Sequence, residues 1–252
     1  FSTSFHTRFP EYINARFGTP VARGYRFLRW FHGPATTMMV ATKSLQEEMV
    51  ERKFPSTAIW SRGVDIDVYK PRPDLKASDF LNLPRPLWLY VGRVAVEKNI
   101  ESFLKLDLPG TKLIVGGGPQ LESLKQRYTD AHFVGPKFGE ELAEHYAASD
   151  CFVFPSKTDT FGLVTLEALA SGTPVAAYPV QGPKDVIGDA PVGCLRDDLR
   201  SAALTAVKIS PDRARAFALE YSWEACTNQF ISNLAIQRPP EIEGGRPRLL
   251  RR

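Results

Sequence analysis

From Leu87 onward, short apolar runs alternate with amphipathic stretches, and that alternation sets the fold. Residues 87–91, 112–115, 132–134, 151–154, 174–177 and 192–195 are short and nearly all hydrophobic, as strands buried on both faces must be. Between them, 97–106, 120–128, 139–148 and 162–171 carry the helical period. Strands separated by helices predict an α/β protein with a doubly wound parallel sheet, whose ligands bind beyond the C-terminal strand ends. The closing helices, 199–207, 212–220 and 223–234, have no strand between them and are predicted to pack outside the sheet.

The first 65 residues follow another rhythm. A strand ends at His6, helices follow over 10–17 and 20–32, and a strand over 37–41 precedes a helix capped by Thr42 or Ser44. A further strand over 58–61 leads into Arg62-Gly63-Val64-Asp65, and the proline-rich stretch 70–86 marks a boundary. The expected organisation is a partial N-terminal domain over 1–66, a ligand-binding domain over 67–235 and a disordered basic tail over 236–252. Because the chain opens with Phe1 inside a strand-like segment, it reads as a fragment whose natural start is missing. In the 20–32 helix Arg23, Arg26 and Arg29 oppose Val21, Tyr25 and Leu28. Such a helix is either an interdomain element with a solvated face or a peripheral contact for an anionic membrane.

Composition narrows the function classes. With 43% hydrophobic and 24% charged residues, the chain can build an ordinary core. The net charge of +4 comes from four arginines in 246–252; the rest holds 28 basic and 28 acidic residues, which argues against a general nucleic-acid surface. No apolar run approaches the roughly 18 residues of a membrane span. Cys151, Cys194 and Cys226 show neither disulfide nor metal spacing, as in a reducing cytoplasm.

Three strand ends carry candidate chemistry. Gly92 permits a tight turn that brings Arg93 and Lys98 to the mouth of the sheet, a forked and a mobile cation for phosphate. At the next strand end, Gly116-Gly117-Gly118 either allows close backbone approach to a nucleotide or makes a purely structural turn, with Pro119 expected at the first helical position. Third, the helix expected to open at Gly162 would aim the N–H groups of Phe161, Gly162 and Leu163 at an anion, between Asp159 and Glu167. About five helical rises, roughly 8 Å, separate Glu167 from the helix start. That is too far for a retaining glycosidase pair, which sits about 5–5.5 Å apart, and suits acids gripping hydroxyls on both sides of a diphosphate. A nucleoside diphosphate sugar has this pattern.

Phe5-His6-Thr7, Gly92-Arg93 with Glu97-Lys98, Gly116-Gly117-Gly118-Pro119, and the block from Phe161-Gly162 to Gly172-Thr173-Pro174-Val175 occur in an order that resembles the family-four retaining glycosyltransferases, or glycosyl transferases group 1. The opening Thr3 to Pro10 is similar to bacterial mannosyltransferase-like members. The resemblance covers about residues 1–235. It implies a GT-B architecture, with the donor in a C-terminal Rossmann-like half and the acceptor in an N-terminal Rossmann-like half of which most is absent. On this pattern Arg93 and Lys98 neutralise the leaving diphosphate, and Asp159 binds the transferred sugar. Gly92, Gly117 and the Phe161 to Leu163 backbone line the donor, Glu167 holds the ribose, and His6 lies near the reaction centre. The family usually has Glu where this chain has Asp159, which bears on sugar identity. The implied activity is hexosyl transfer, with mannose the candidate hexose, onto a sugar or lipid-linked hydroxyl, with no metal or other cofactor and no activity from the fragment alone. Rival readings are a nucleotide-sugar-binding module without turnover and a nucleotide-sugar epimerase. A dinucleotide oxidoreductase is disfavoured by the missing glycine fingerprint.

Overall fold

The computed structural model describes residues 1–6, 8–77, 80–157 and 161–234. Its N-terminal part runs β1 (Ser2–Phe5), α1 (Phe9–Phe17), α2 (Val21–His32), β2 (Thr37–Val40), α3 (Lys43–Glu51) and β3 (Thr57–Ile59). The three strands pair in parallel in the order β1-β2-β3. Phe5, Met38 and Val40 on this sheet close over Tyr25 of α2 and Leu45 and Met49 of α3. The side chain of Thr42, not Ser44, caps α3 by accepting from the Leu45 N–H at 3.2 Å. Helix α2 divides as its spacing predicts at Tyr25, which is buried, and at Arg23 and Arg26, which are exposed, but Arg29 is half-buried and donates to the Arg52 carbonyl at 3.2 Å. The exposed side also carries Phe27, Trp30 and Phe31.

The remaining elements are α4 (Pro73–Ala77), β4 (Leu87–Val91), α5 (Ile100–Leu104), β5 (Thr111–Val115), α6 (Leu121–Arg127), β6 (Ala131–Gly135), α7 (Gly139–Ala148), β7 (Cys151–Phe154), α8 (Leu163–Ala170), β8 (Val175–Ala177), α9 (Gln181–Val186), β9 (Gly193–Leu195), α10 (Leu199–Ala206), α11 (Pro211–Leu219) and α12 (Trp223–Ser232). The six strands form one parallel sheet, β6-β5-β4-β7-β8-β9. The chain leaves β4 toward one edge and returns to β4's other side at β7, so strand order reverses between them and a crevice opens there. Period-two alternation distributes the core. Leu89 and Val91 face α8 and α11, whereas Trp88 and Tyr90 face α5 and α10. Both faces of β4, β5 and β7 are covered, which is why their runs are almost continuously apolar, whereas the edge strand β6 is only half-buried and exposes His132.

Four local expectations change. The helix expected over 97–106 is a short 3-10 turn, Val96–Lys98, followed by α5, because Asn99 adopts a left-handed conformation (φ 51°) between them. Helix α6 begins at Leu121, two residues after Pro119, and α8 at Leu163, with Gly162 (φ 77°) as its N-cap. The closing helices do not all pack outside the sheet. Ala202, Ala203 and Ala206 let α10 lie directly on the strands. Helix α12 returns to the first sheet, where Phe230 packs on Trp60 at 4.8 Å between ring centroids and Asn233 donates to the Ile59 carbonyl at 2.7 Å. The fourth concerns the glycine triplet, where the structural alternative holds at two of the three positions. A β-carbon on Gly116 would lie 1.9 Å from the Gly92 carbonyl oxygen, and one on Gly118 would lie 2.4 Å from that of Val94. These two glycines therefore serve the packing of one loop on another. The tail over 236–252 lies outside the described residues.

Gly116→Ala is expected to lower the unfolding free energy by about 3 kcal/mol or more, through overlap and a strained φ of +144°. Gly135→Ala, where a β-carbon meets open space at φ +76°, should cost about 1–2 kcal/mol. Urea unfolding of the two variants tests this; equal losses would contradict the packing role of Gly116.

Candidate functional site

The site forms where β4, β5 and β7 end. At β4, Gly92 turns the chain with φ +150°, and its N–H donates to the Val115 carbonyl at 3.0 Å. The Val94 N–H donates to Gly117 at 2.9 Å, so the loops after β4 and β5 continue side by side beyond the sheet. The Tyr90 hydroxyl donates to the Arg93 carbonyl at 2.8 Å and fixes the backbone beneath that guanidinium. Asn99 donates to the Pro155 carbonyl at 3.1 Å, tying the residue next to Lys98 to the end of β7. Arg93 itself is well exposed and pairs with Glu97 at 3.4 Å. An exposed pair of this kind is worth about 0–1 kcal/mol, so a phosphate can displace the carboxylate.

Helix α8 starts at the same crevice. It has no side-chain N-cap, and its first backbone N–H groups, from Leu163 and Val164, have no acceptor within the helix. The oriented peptides place partial positive charge there. Arg93, Lys98, Gly92, Phe161, Gly162 and Leu163 line one cavity of about 330 Å³. Arg62 enters the same cavity from the segment after β3. A second cavity, about 350 Å³, shares Val91, Gly92, Arg93 and Val164 with the first. It extends along Gly117, Lys137 and Phe138 to Glu167. Nothing but Pro136, at 3.9 Å, approaches a β-carbon built on Gly117, so this glycine alone of the triplet faces open space.

Glu167 is held rather than free. The hydroxyl of fully buried Tyr146 donates to its Oε2 at 2.9 Å, and Tyr69 also favours its charged form. Burial raises the pKa of Glu167, and the two tyrosines work against that rise by favouring the carboxylate. Burial, and secondarily the same carboxylate, push the pKa values of both tyrosines up and keep them protonated.

Thus the fold brings Gly92, Arg93, Lys98, Phe161, Gly162 and Leu163 together, with Gly117 and Glu167 in the adjoining cavity. His6 lines neither. It stands at the end of β1 with its ring edge-on to Trp60, 5.1 Å away, and borders a third cavity among Phe9, Phe27 and Phe31. Burial, and secondarily the charge of Arg62, lower its pKa to about 4, so it is neutral at pH 7. Asp159 and Thr7 lie outside the described residues. Among the described residues, no group of His, Cys, Asp or Glu is placed to hold a metal ion, and no helix is long and apolar enough to cross a membrane. Sequence reasoning missed Arg62, Tyr69, Tyr146 and Phe138. Arg62 had a usable signal: like Arg93, it adjoins a glycine just beyond a strand.

A doubly wound parallel sheet with its crevice at the strand ends, beside a smaller parallel sheet, is the architecture of GT-B glycosyltransferases. The chain belongs to the glycosyl transferases group 1 family, whose model matches residues 71–208. It is 32% identical to the sulfoquinovosyl transferase SQD2 of Arabidopsis thaliana, over 73% of this chain and 39% of that protein. It is 31% identical to the GDP-mannose-dependent alpha-mannosyltransferase of Mycobacterium tuberculosis, over 73% of this chain and 50% of that one. Among solved structures, sucrose-phosphate synthase from Thermosynechococcus elongatus superposes with a TM-score of 0.70 at 26% identity, covering 92% of this chain and 66% of that chain. The chain spans about half the length of the curated relatives it matches.

Tyr146→Phe deletes one donor to Glu167 without changing shape. It is expected to cost about 2 kcal/mol at alkaline pH and about 1 kcal/mol near pH 4, because the hydrogen bond to the charged carboxylate is the stronger one. The folded pKa of Glu167 is raised above its unfolded value, so its contribution is most favourable at low pH and declines as pH rises through the folded value. Losing the tyrosine steepens that decline. Denaturant titrations at the two pH values measure it, and a pH-independent loss would count against the assigned bond.

Proposed function

We propose that this chain is the donor-binding part of a retaining glycosyltransferase that moves a hexose from a nucleoside diphosphate sugar to a sugar or lipid-linked hydroxyl. The observation that carries the reading is the shared cavity of Arg93, Lys98 and the α8 N-terminus, continuous with the cavity of Gly117 and Glu167. Two cations and a helix start converge on a volume suited to a diphosphate, and a held carboxylate beside it suits the ribose hydroxyls. Phe138, 76% exposed at the far rim, offers an aromatic face to the base. Three relatives are named as GDP-mannose-dependent alpha-mannosyltransferases, which favours mannose as the hexose.

In this reading, negative charge grows on the diphosphate as the bond to the anomeric carbon breaks. Arg93, Lys98 and the α8 N–H groups are already oriented toward that charge and need little rearrangement, so they stabilise the transition state more than the ground state. Glu167 and the Gly117 backbone hold the nucleoside while the sugar is released. Attack by the acceptor hydroxyl on the same face, with its proton passing to the departing diphosphate oxygen, would retain the anomeric configuration, as the family resemblance implies. The exposed Phe27, Trp30 and Phe31 beside Arg23 and Arg26 support contact of α2 with an anionic bilayer that carries a lipid-linked acceptor.

Calorimetry with UDP, GDP and their monophosphates tests the donor reading. The diphosphate of one base is expected to bind at least tenfold more tightly than its monophosphate, and Lys98→Ala should weaken the diphosphate at least tenfold. Equal affinity for the two forms, or an unaffected variant, would sink the assignment. Sedimentation with phosphatidylglycerol–phosphatidylcholine vesicles tests the α2 contact. Pelleting should require the anionic lipid and fall several-fold in Phe27→Ala/Trp30→Ala; binding that persists without anionic lipid excludes it.

A further inference from the structure

Arg62 belongs to the segment that joins the two sheets, yet it borders the cavity formed by Arg93, Lys98 and the start of α8. Its backbone neighbours are fixed by the closing part of the chain. The Ser61 N–H donates to Gln229 Oε1 at 2.6 Å, and the Val64 N–H donates to the Tyr221 carbonyl at 2.8 Å. Cys226 Sγ lies 3.2 Å from the Ser61 carbonyl, and Val64 makes a parallel bridge with Ser222. Between them, Gly63 sits so close to Trp223 that a β-carbon would lie 2.9 Å from the indole. The chain on both sides of Arg62 is therefore clamped to α12, which presents the arginine side chain at one place on the crevice wall.

The electrostatic setting asks for an anion. Arg93 has Glu97 as a carboxylate partner, whereas no acid among the described residues forms an ion pair with Arg62. A half-buried guanidinium beside a second guanidinium and an ammonium, all bordering about 330 Å³, raises the positive potential of that volume. The field reaches β1 as well, since after burial the charge of Arg62 is what disfavours protonation of His6.

We infer that Arg62 is a third phosphate-binding cation, reaching the diphosphate from the side of the N-terminal sheet while Arg93 and Lys98 reach it from the six-stranded sheet. The inference rests on the donor reading above and adds a consequence. Phosphate binding bridges the two units, so a diphosphate, and not the nucleoside part, stabilises their mutual arrangement. The Arg62 contact is made by the group on which leaving-group charge accumulates, so its loss should weaken diphosphates selectively.

The test uses the full 252-residue chain and its Arg62→Ala, Arg62→Lys and Lys98→Ala variants, titrated by calorimetry with UDP, GDP, UMP and GMP, with thermal unfolding recorded in parallel. Arg62→Ala is expected to weaken the bound diphosphate about tenfold and the monophosphate less than threefold, with an unchanged melting temperature in the absence of ligand. Arg62→Lys should recover part of the loss. In Arg62→Ala the rise in melting temperature produced by saturating diphosphate should shrink. Wild-type diphosphate affinity in Arg62→Ala, with Lys98→Ala weakened, overturns the role of Arg62 and leaves the donor site standing. Equal losses for both nucleotide forms, or no recovery with lysine, mark a structural defect and also overturn it. If neither Arg62→Ala nor Lys98→Ala changes affinity, or the wild-type chain binds no nucleotide, the donor reading itself falls.

Discussion

The approach of Gly116 to the Gly92 carbonyl is the contact on which the site depends. It lets the loops after β4 and β5 leave the sheet together, joined by the hydrogen bonds from Gly92 to Val115 and from Val94 to Gly117. A side chain at Gly116 would force those loops apart. Arg93 and Lys98 would then leave the end of α8, and Gly117 would leave Glu167. The charge placement that a departing diphosphate requires is therefore an outcome of backbone packing. Glycine appears at 116 and 118 because another main chain occupies the space of a β-carbon, and at 117 because the crevice must stay open.

A second constraint joins the two sheets. Trp223 packs on Gly63, Phe230 packs on Trp60, and Asn233 bonds to Ile59, so the last helix is as much part of the N-terminal sheet as of the domain it ends. A separate set of contacts links the N-terminal part to α9: Ser44 donates to Asp185 at 2.6 Å and Arg8 donates to Gln181 at 2.8 Å. The first contact set combines packed aromatic rings with hydrogen bonds to the backbone, while the second is polar and partly solvated. Solvated bonds exchange with water at little net cost, and packed aromatic rings do not. The joint near α12 is accordingly the firm one, and Arg62 lies on it.

The strand and helix order was legible in the chain because both faces of β4, β5 and β7 are buried. Continuous apolar runs such as 87–91 and 151–154 have no other stable placement in a small domain. The glycine next to a cation after Val91 and the unit around Phe161-Gly162 were legible too, since a turn and a helix start need these residue types locally. The boundary errors came from side chains acting across the fold. Asn99 stops the 3-10 turn because it reaches Pro155, more than fifty residues away, and α10 lies on the sheet because Ala202, Ala203 and Ala206 meet strands that are distant in sequence.

The sequence alone thus determined the parallel α/β class, the strands whose ends carry the chemistry, and most of the residues that border it, because each follows from periodicity or from local backbone need. Tertiary structure decided the rest. It placed Arg62 in the crevice through α12, set His6 against Trp60 and away from both cavities, and selected Tyr69 and Tyr146 to hold Glu167. Those choices depend on which distant side chains come to share one small volume. No local pattern encodes that sharing, because it is fixed only when both sheets and the closing helix have packed.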